Sequence, residues 1–315
     1  MLGMIARRLL TLLPVLLIVS FLTFSLTALI PGDAAETLAG GPDAPPGAIE
    51  EVRHELELDR PFLVRYGDWL TNVVQGDLGT SLYSEKPITE EIAERLPVTF
   101  SLAFITLLFA IPLALLFGVL GGLRPNGIFD RGLLVGTSLA IAMPSFWVAL
   151  LLVTVFAVQL RWLPPFGFVP FGENPVEWFR HLILPATALA LTTLAVLSRQ
   201  LRAGLSDTMN SAFVRTGWAK GGNTRQVVAG HALKTSAIPA VTVLGLQIGG
   251  ILAGAVIIEQ IFSLPGLGTY LLGAVEKRDI PVILATALLL VVINMLASLS
   301  VDITYGYLNP KVRET

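Results

Sequence analysis

Runs of about 20 apolar residues recur along this chain, and an uninterrupted run of that length, wound as a helix, matches the hydrocarbon core of a bilayer. The first run extends from Leu9 to Ile30 behind the pair Arg7-Arg8. Its apolar part is longer than the core of a cleaved signal peptide, so an uncleaved first span is expected. Five more follow at roughly 97–120, 133–158, 181–201, 239–261 and 280–304. Of the 315 residues, 54% are hydrophobic and only 14% charged, which excludes an ordinary soluble globule. The expected fold class is an all-α integral membrane protein of six transmembrane helices. With no cysteine in the chain, disulfide and thiol chemistry are excluded.

Charge is sorted by membrane side, so the formal net charge of −2 says little about partners. With the N-terminus inside, the inner segments hold Arg7, Arg8, Arg124, Arg131, Arg199, Arg202, Arg215, Lys220, Arg225, Lys234, Lys311 and Arg313. The two short outer loops hold Arg161, Arg180, Lys277 and Arg278. Twelve against four favours both termini on the cytoplasmic side.

The chain therefore divides into an N-terminal span (1–30), an outer segment (31–95), a membrane core (96–304) with a cytoplasmic loop at 202–238, and a cytoplasmic tail (305–315). The outer segment holds most of the acidic residues. Apolar residues recur there at helical spacing in three places: Ile49, Val52 and Leu56; Phe62, Tyr66, Trp69 and Val73; Ile88, Ile92 and Leu96. Three short amphipathic helices are expected, after a Gly- and Pro-rich GGPDAPPG stretch. The later GDLGTS reads as a turn.

Within the spans, the polar and small residues carry the information. Pro144, in MPSFW, removes a helical hydrogen bond and should kink the third span toward protein or a cavity, either as a packing kink or as part of a path. In the fifth span, Gly245 and Gly249, and Gly250 and Gly254, stand four apart, a spacing that lets helix backbones approach closely and predicts a central, packed helix. Gln247 is a candidate lining group or an interhelical hydrogen-bonding group. Glu259 lies near the outer end of the same span, and Asn294 lies deep in the sixth, where it can line a path or pair helices.

The stretch from Ser211 to Pro239, SAFVRTGWAKGGNTRQVVAGHALKTSAIP, carries Arg215, Lys220, Arg225 and Lys234 and no acidic residue. Phe213, Val214, Gly217 and Trp218 form an apolar flank at helical spacing. Gly221 and Gly222 can end that first helix, Asn223 with Gln226 can cap a second, and Val227, Val228 and Leu233 would bury its side. This is either a docking surface or an ordinary basic loop on the inner side.

Several chemistries are missing. No GxxxxGK[ST] occurs, so ATP hydrolysis by this chain is not expected. The Gly-Thr-Ser runs at 79–81 and 136–138 have no base beside them in a span, since His54, His181 and His231 lie away from span centres. No metal-ligand cluster, catalytic residue, resident cofactor or nucleic-acid partner is expected. A proton-coupled secondary carrier, the competing class, would bury acidic or histidine side chains near midplane, and the span centres carry none.

The motifs LDRPFLVRYGDWL, GDLGTS, MPSFW, VRTGWAKG, HALKTSAIPAVTVLGLQIGG and VIIEQIFSLPGLG, in that order, resemble the permease subunits of bacterial ABC importers in the dipeptide, oligopeptide and nickel branch. The resemblance covers nearly the whole chain and implies the type I importer permease fold, with a helical extracytoplasmic insertion between spans one and two. The basic stretch then corresponds to the EAA loop, which couples to the ATPase subunit. The three name-giving positions fall on Arg215, Thr216 and Gly217 and the family glycine on Gly221. The glutamate is absent, and Trp218 and Gly222 depart from the expected pattern. Lys220 and His231 complete the candidate coupling set. Glu259 precedes the outer PGLG turn, as a glutamate does in the family, which implies a part in the external gate or, second, recognition of a substrate amine.

The resemblance further implies a second homologous permease, two ABC ATPase subunits that bind ATP and magnesium, an extracytoplasmic solute-binding protein, and residence in the bacterial inner membrane. The expected cargo is a di- or oligopeptide, with nickel chelate or glutathione as alternatives.

Overall fold

The computed structural model describes residues 2–27, 45, 47–55 and 59–308. Most of the GGPDAPPG stretch, Leu56, Leu58 and the tail from 309 onward lie outside the described residues. Every regular element described is helical, apart from one isolated bridge between Thr80 and Pro87. In chain order the helices are α1 (Leu2–Thr27), α2 (Ala48–Glu55), α3 (Phe62–Val74), α4 (Ile88–Leu123), α5 (Ile128–Ala142), α6 (Ser145–Leu152), α7 (Pro175–Met209), α8 (Ala212–Ala219), α9 (Thr224–Val227), α10 (Leu233–Ile261), α11 (Leu267–Lys277) and α12 (Ile280–Leu308). Wider π-helical turns extend α6 over Val153–Gln159 and join α9 to α10 over Val228–Ala232.

Four helices are long and apolar enough to cross a membrane: α4, α7, α10 and the Ile280–Val301 part of α12. The pair α5 and α6 passes the same test together, making five if the pair is one span. In α1 the apolar stretch among described side chains is Leu10–Ser25.

The third apolar run is not one kinked helix over 133–158. Its two halves meet at 100°. Met143 takes an extended backbone (ψ 124°) because the proline ring disfavours helical geometry in the residue before it, and Pro144 then opens α6. The Ile88, Ile92 and Leu96 repeat likewise does not form a separate outer helix, since it is the first part of the 36-residue α4. Ile49 and Val52 fall on α2, and the repeat of Phe62, Tyr66, Trp69 and Val73 falls on α3.

The chain forms two compact units. The first comprises Met1–Arg8, Pro97–Thr269 and Ile293–Thr315. Its core gathers Val98, Leu102 and Ile105 of α4, Val148 and Ala149 of α6, Leu182, Leu184, Ala186, Ala188 and Leu189 of α7, and Ala255 and Ile258 of α10. Helix α7 is the most enclosed span, and its run of alanines lets neighbours come close. It starts sharply, with Asn174 Oδ1 accepting the Val176 and Glu177 amides at 3.1 and 3.2 Å ahead of Pro175.

The second unit comprises Leu9–Leu96 and Tyr270–Val292. There α3 packs on α1 through an aromatic cluster of Phe21, Phe24, Phe62, Tyr66 and Trp69, with Tyr66 Oη 2.9 Å from Ser20 Oγ.

Candidate functional site

The basic loop folds as two helices with different fates. Helix α8 is short and stops where a backbone of positive φ (83°) at Gly221 lets its amide reach Trp218 O at 2.9 Å, while the Gly222 amide reaches Gly217 O at 3.2 Å. A Cβ on Gly222 would lie 2.9 Å from Gly217 O, so a side chain is excluded there. The next helix begins with a reciprocal capping box: Gln226 N donates to Asn223 Oδ1 at 2.9 Å, and Asn223 N donates to Gln226 Oε1 at 3.1 Å. It is not a separate second helix. Helix α9 continues through the π turn into α10, and Pro239 lies inside that helix.

The apolar flank expected of α8 is divided. Val214 is fully buried with Leu205, Val227, Val228 and Ala232, and Gly217 faces Val227. Phe213 and Trp218 are 46% and 41% exposed. Arg215, Thr216, Lys220 and Gly221 are exposed as well, Gly217 and Gly222 partly so. Leu233 is only half-buried. A cationic and aromatic surface thus rides on a small apolar anchor. The backbone of His231 lies in the π turn, and its side chain and that of Arg225 lie outside the described residues.

At the root of this loop is an ion pair that sequence reading missed. Asp130, 1% exposed in the first turn of α5, accepts Arg202 Nε at 2.7 Å and Nη2 at 2.6 Å, and the Asn126 amide at 2.8 Å. In the sequence Arg202 is one of twelve inner cations, and pattern alone does not single it out.

The C-terminal end of α10 holds a second buried carboxylate. Glu259 is fully buried. Its Oε1 accepts Thr99 Oγ1 at 2.6 Å, and its Oε2 accepts the amides of Gly268 at 2.8 Å and Thr269 at 3.2 Å. Thr99 in turn accepts the Leu267 amide at 2.9 Å. The glycines of the PGLG turn make room: a Cβ on Gly266 would collide with the Glu259 carboxyl, and one on Gly268 would strike Val256 Cα and Glu259 Oε2. With its oxygens engaged by the turn, Glu259 organises that turn, and no side of it is exposed for an amine. Thr99 was not among the candidate residues, since 160 residues separate it from Glu259.

The remaining candidates are scattered over unit one. Pro144 is exposed at the bend and Gln247 is half-buried on α10. A Cβ on Gly249 would sit 3.0 Å from Asn294 Oδ1, an acceptor buried without a hydrogen-bond partner. Gly245 faces Val301 and Gly254 faces Leu189, whereas Gly250 meets nothing within 4 Å. One glycine face of α10 packs, while Leu246 is 76% exposed, and of the four helices that each pass the span test alone α10 is the least enclosed.

In unit two the GDLGTS turn is tied down. Gly76 and Gly79 take positive φ, and Ser81 Oγ donates to the Asp279 carboxylate at 2.6 Å in a buried contact. Nearby, Tyr270 Oη donates to Glu91 Oε2 at 2.6 Å with the Arg95 guanidinium 4.2 Å from the Tyr270 ring centroid. Burial, then the hydrogen bond to Glu91, raises the Tyr270 hydroxyl above its ordinary range, so it donates as a neutral phenol. Among the described residues no three His, Asp or Glu side chains converge as a metal site.

Residues 110–314 match the family described as binding-protein-dependent transport system inner membrane component, and residues 1–103 match the N-terminal region described for the same kind of membrane component. A putative peptide transport system permease protein of Brucella abortus is 40% identical over 313 residues, spanning 99% of both chains. The dipeptide transport system permease protein DppB of Alkalihalophilus pseudofirmus is 37% identical over 333 residues, spanning 99% of this chain and all of its own. The glutathione transport system permease protein GsiC of Escherichia coli is 38% identical over 313 residues, again 99% of both.

Proposed function

Because this chain belongs to the binding-protein-dependent transport system inner membrane components, we propose that it is a permease subunit that imports di- or oligopeptides, powered by ATP bound with magnesium in partner subunits. Six spans carry it through the bacterial inner membrane, α1 and the broken α5–α6 pair each counting as one, with both termini in the cytoplasm. The segment at 31–95 then lies outside, where a solute-binding protein delivers cargo. Two ATPase subunits stand on the cytoplasmic side.

The observation that carries this reading is the basic loop. Arg215, Thr216, Lys220, Phe213 and Trp218 are displayed on a helix whose only buried apolar side chain is Val214, so the surface is free for a partner while its root is held. Residues 212–235 would take the displacement of the ATPases into α7 and α10, and α10 ends at the Glu259 turn on the outside. A second permease accounts for the open face of α10 around Leu246, Gly250 and Ile257. Gln247, Asn294 and Pro144 remain candidates for the path between the two permeases.

Two experiments test this reading. Purification of the tagged chain in mild detergent should recover a second homologous permease and two P-loop subunits; recovery of the chain alone, or only with itself, would overturn it in favour of a self-sufficient carrier. Replacing Gly221→Leu puts a side chain on a backbone at φ 83° and misplaces the end of α8. Membrane abundance should hold while ATP-driven peptide uptake falls about tenfold. The glutathione relative favours a second cargo, and competition of labelled dipeptide uptake by glutathione separates the two.

A further inference from the structure

We infer that Asp130 and Arg202 form a positioning pair that carries displacement of the basic loop from α7 into the broken helix pair α5–α6. The inference rests on the coupling role proposed for that loop. It adds a third route to the two helices covalently joined to the loop.

Four observations converge on it. First, Arg202 stands three residues before Leu205, the side chain that packs with Val214 of α8, so whatever moves α8 moves this turn of α7. Second, the guanidinium engages Asp130 through two nitrogens at 2.7 and 2.6 Å. A planar fork of that kind fixes the angle between its partners as well as their distance, unlike an apolar contact, which can slide. The Asn126 amide holds the same carboxylate, with Asn126 itself at φ 66°, so the turn before α5 is keyed to the pair.

Third, the surroundings leave no slack. A Cβ on Gly121 of α4 would lie 2.8 Å from Leu133 Cδ2, 3.2 Å from Arg202 Cγ and 3.4 Å from Asp130 Oδ1. Gly118 and Gly122 are as close to Leu201 and Leu205, and on another side of α7 the carbonyl of Gly204 accepts Ser236 Oγ of α10. The end of α7 is thus seated against α4 and α10 by close backbone approach, and against α5 by the ion pair. Fourth, α5 is continuously helical from Ile128 to Ala142 and hands over to α6 at Met143 and Pro144, a two-residue joint bent by 100°. Displacement delivered to the first turn of α5 is therefore delivered to that joint.

The test uses the whole complex with its partner subunits. Because this chain has no native cysteine, Val158→Cys and Val176→Cys can carry spin labels without background from it, and the unsubstituted complex put through the same labelling corrects for cysteines of the partner subunits; both positions are more than 60% exposed. The label distance is compared between nucleotide-free and vanadate-trapped complex. Three backgrounds are used: native pair, Arg202→Lys, which keeps the charge and loses the fork, and Asp130→Leu with Arg202→Met, an apolar replacement that spares stability.

The expected result is a trapping-dependent shift in the native background that falls at least about threefold in both variants, with peptide moved per ATP falling about tenfold. Arg202→Lys keeps the test decisive if the apolar pair does not accumulate. An unchanged shift in the variants overturns the inference, even if uptake falls, because the pair is then only structural. A native complex that holds its ATPases but shows no shift also overturns it and leaves the importer reading standing. Absence of ATPase subunits from the native complex overturns both.

Discussion

Glu259 and Asp130 are the same kind of group in the same compact unit, each almost wholly buried, and they are satisfied in opposite ways. Neutral donors hold Glu259: one hydroxyl and two amides of a glycine-rich turn. A cation and one amide hold Asp130. The first arrangement shapes a short stretch of backbone and tolerates no side chain at Gly266 or Gly268. The second joins two helices whose residues are 72 apart and depends on one guanidinium. A carboxylate closed in by backbone is a local scaffold, whereas one closed in by a distant arginine links elements that can then move together.

The largest effect should come from breaking the scaffold. In Gly268→Val the new Cβ would lie 2.5 Å from Val256 Cα and 2.8 Å from Glu259 Oε2. Overpacking and lost hydrogen bonds should together cost about 4 kcal/mol. Membrane abundance and thermal melting in detergent report this, and a native-like melt would show that the turn is not the constraint. Next comes the link. Asp130→Ala strands a cation that is 20% exposed and can reach partway to water, so its cost should be about 3 kcal/mol. The same melt measures it, and a larger loss than at Gly268 would reverse the comparison.

The smallest effect should be Thr99→Val. It keeps the shape, removes one donor to Glu259 and one acceptor for Leu267, and should cost about 2 kcal/mol. Membrane abundance should stay near native. Accessibility of a cysteine introduced at the exposed Ser263, just before the PGLG turn, should rise, and no rise would mean that the turn does not depend on Thr99.

Much of this was legible in advance because it is local. The loop's glycine stop and its Asn223–Gln226 cap depend on residues within a few positions of each other, as does the break at Pro144. The angle of that break was not legible, since a proline frees a hydrogen bond but neighbouring packing decides how far the chain turns. Phe213 and Trp218 show the limit of periodicity. Spacing grouped them with Val214, but the small core under α8 admits only Val214. Gly250 shows the same limit: four residues from Gly254, it faces open space.

By itself, the sequence determined that this is a membrane protein of long apolar helices with one basic loop and one acidic segment between them, and its ordered motifs pointed to the importer permeases. Those properties are additive along the chain: apolar length, charge on one side or the other, glycine and proline at turns. Only the tertiary structure decided which buried carboxylate meets Thr99 and which meets Arg202, and which glycines touch a neighbour. The two carboxylate partners lie 160 and 72 residues away, and the glycines meet neighbours on other helices. Contacts at such separations are set by how helices pack, which no local pattern encodes.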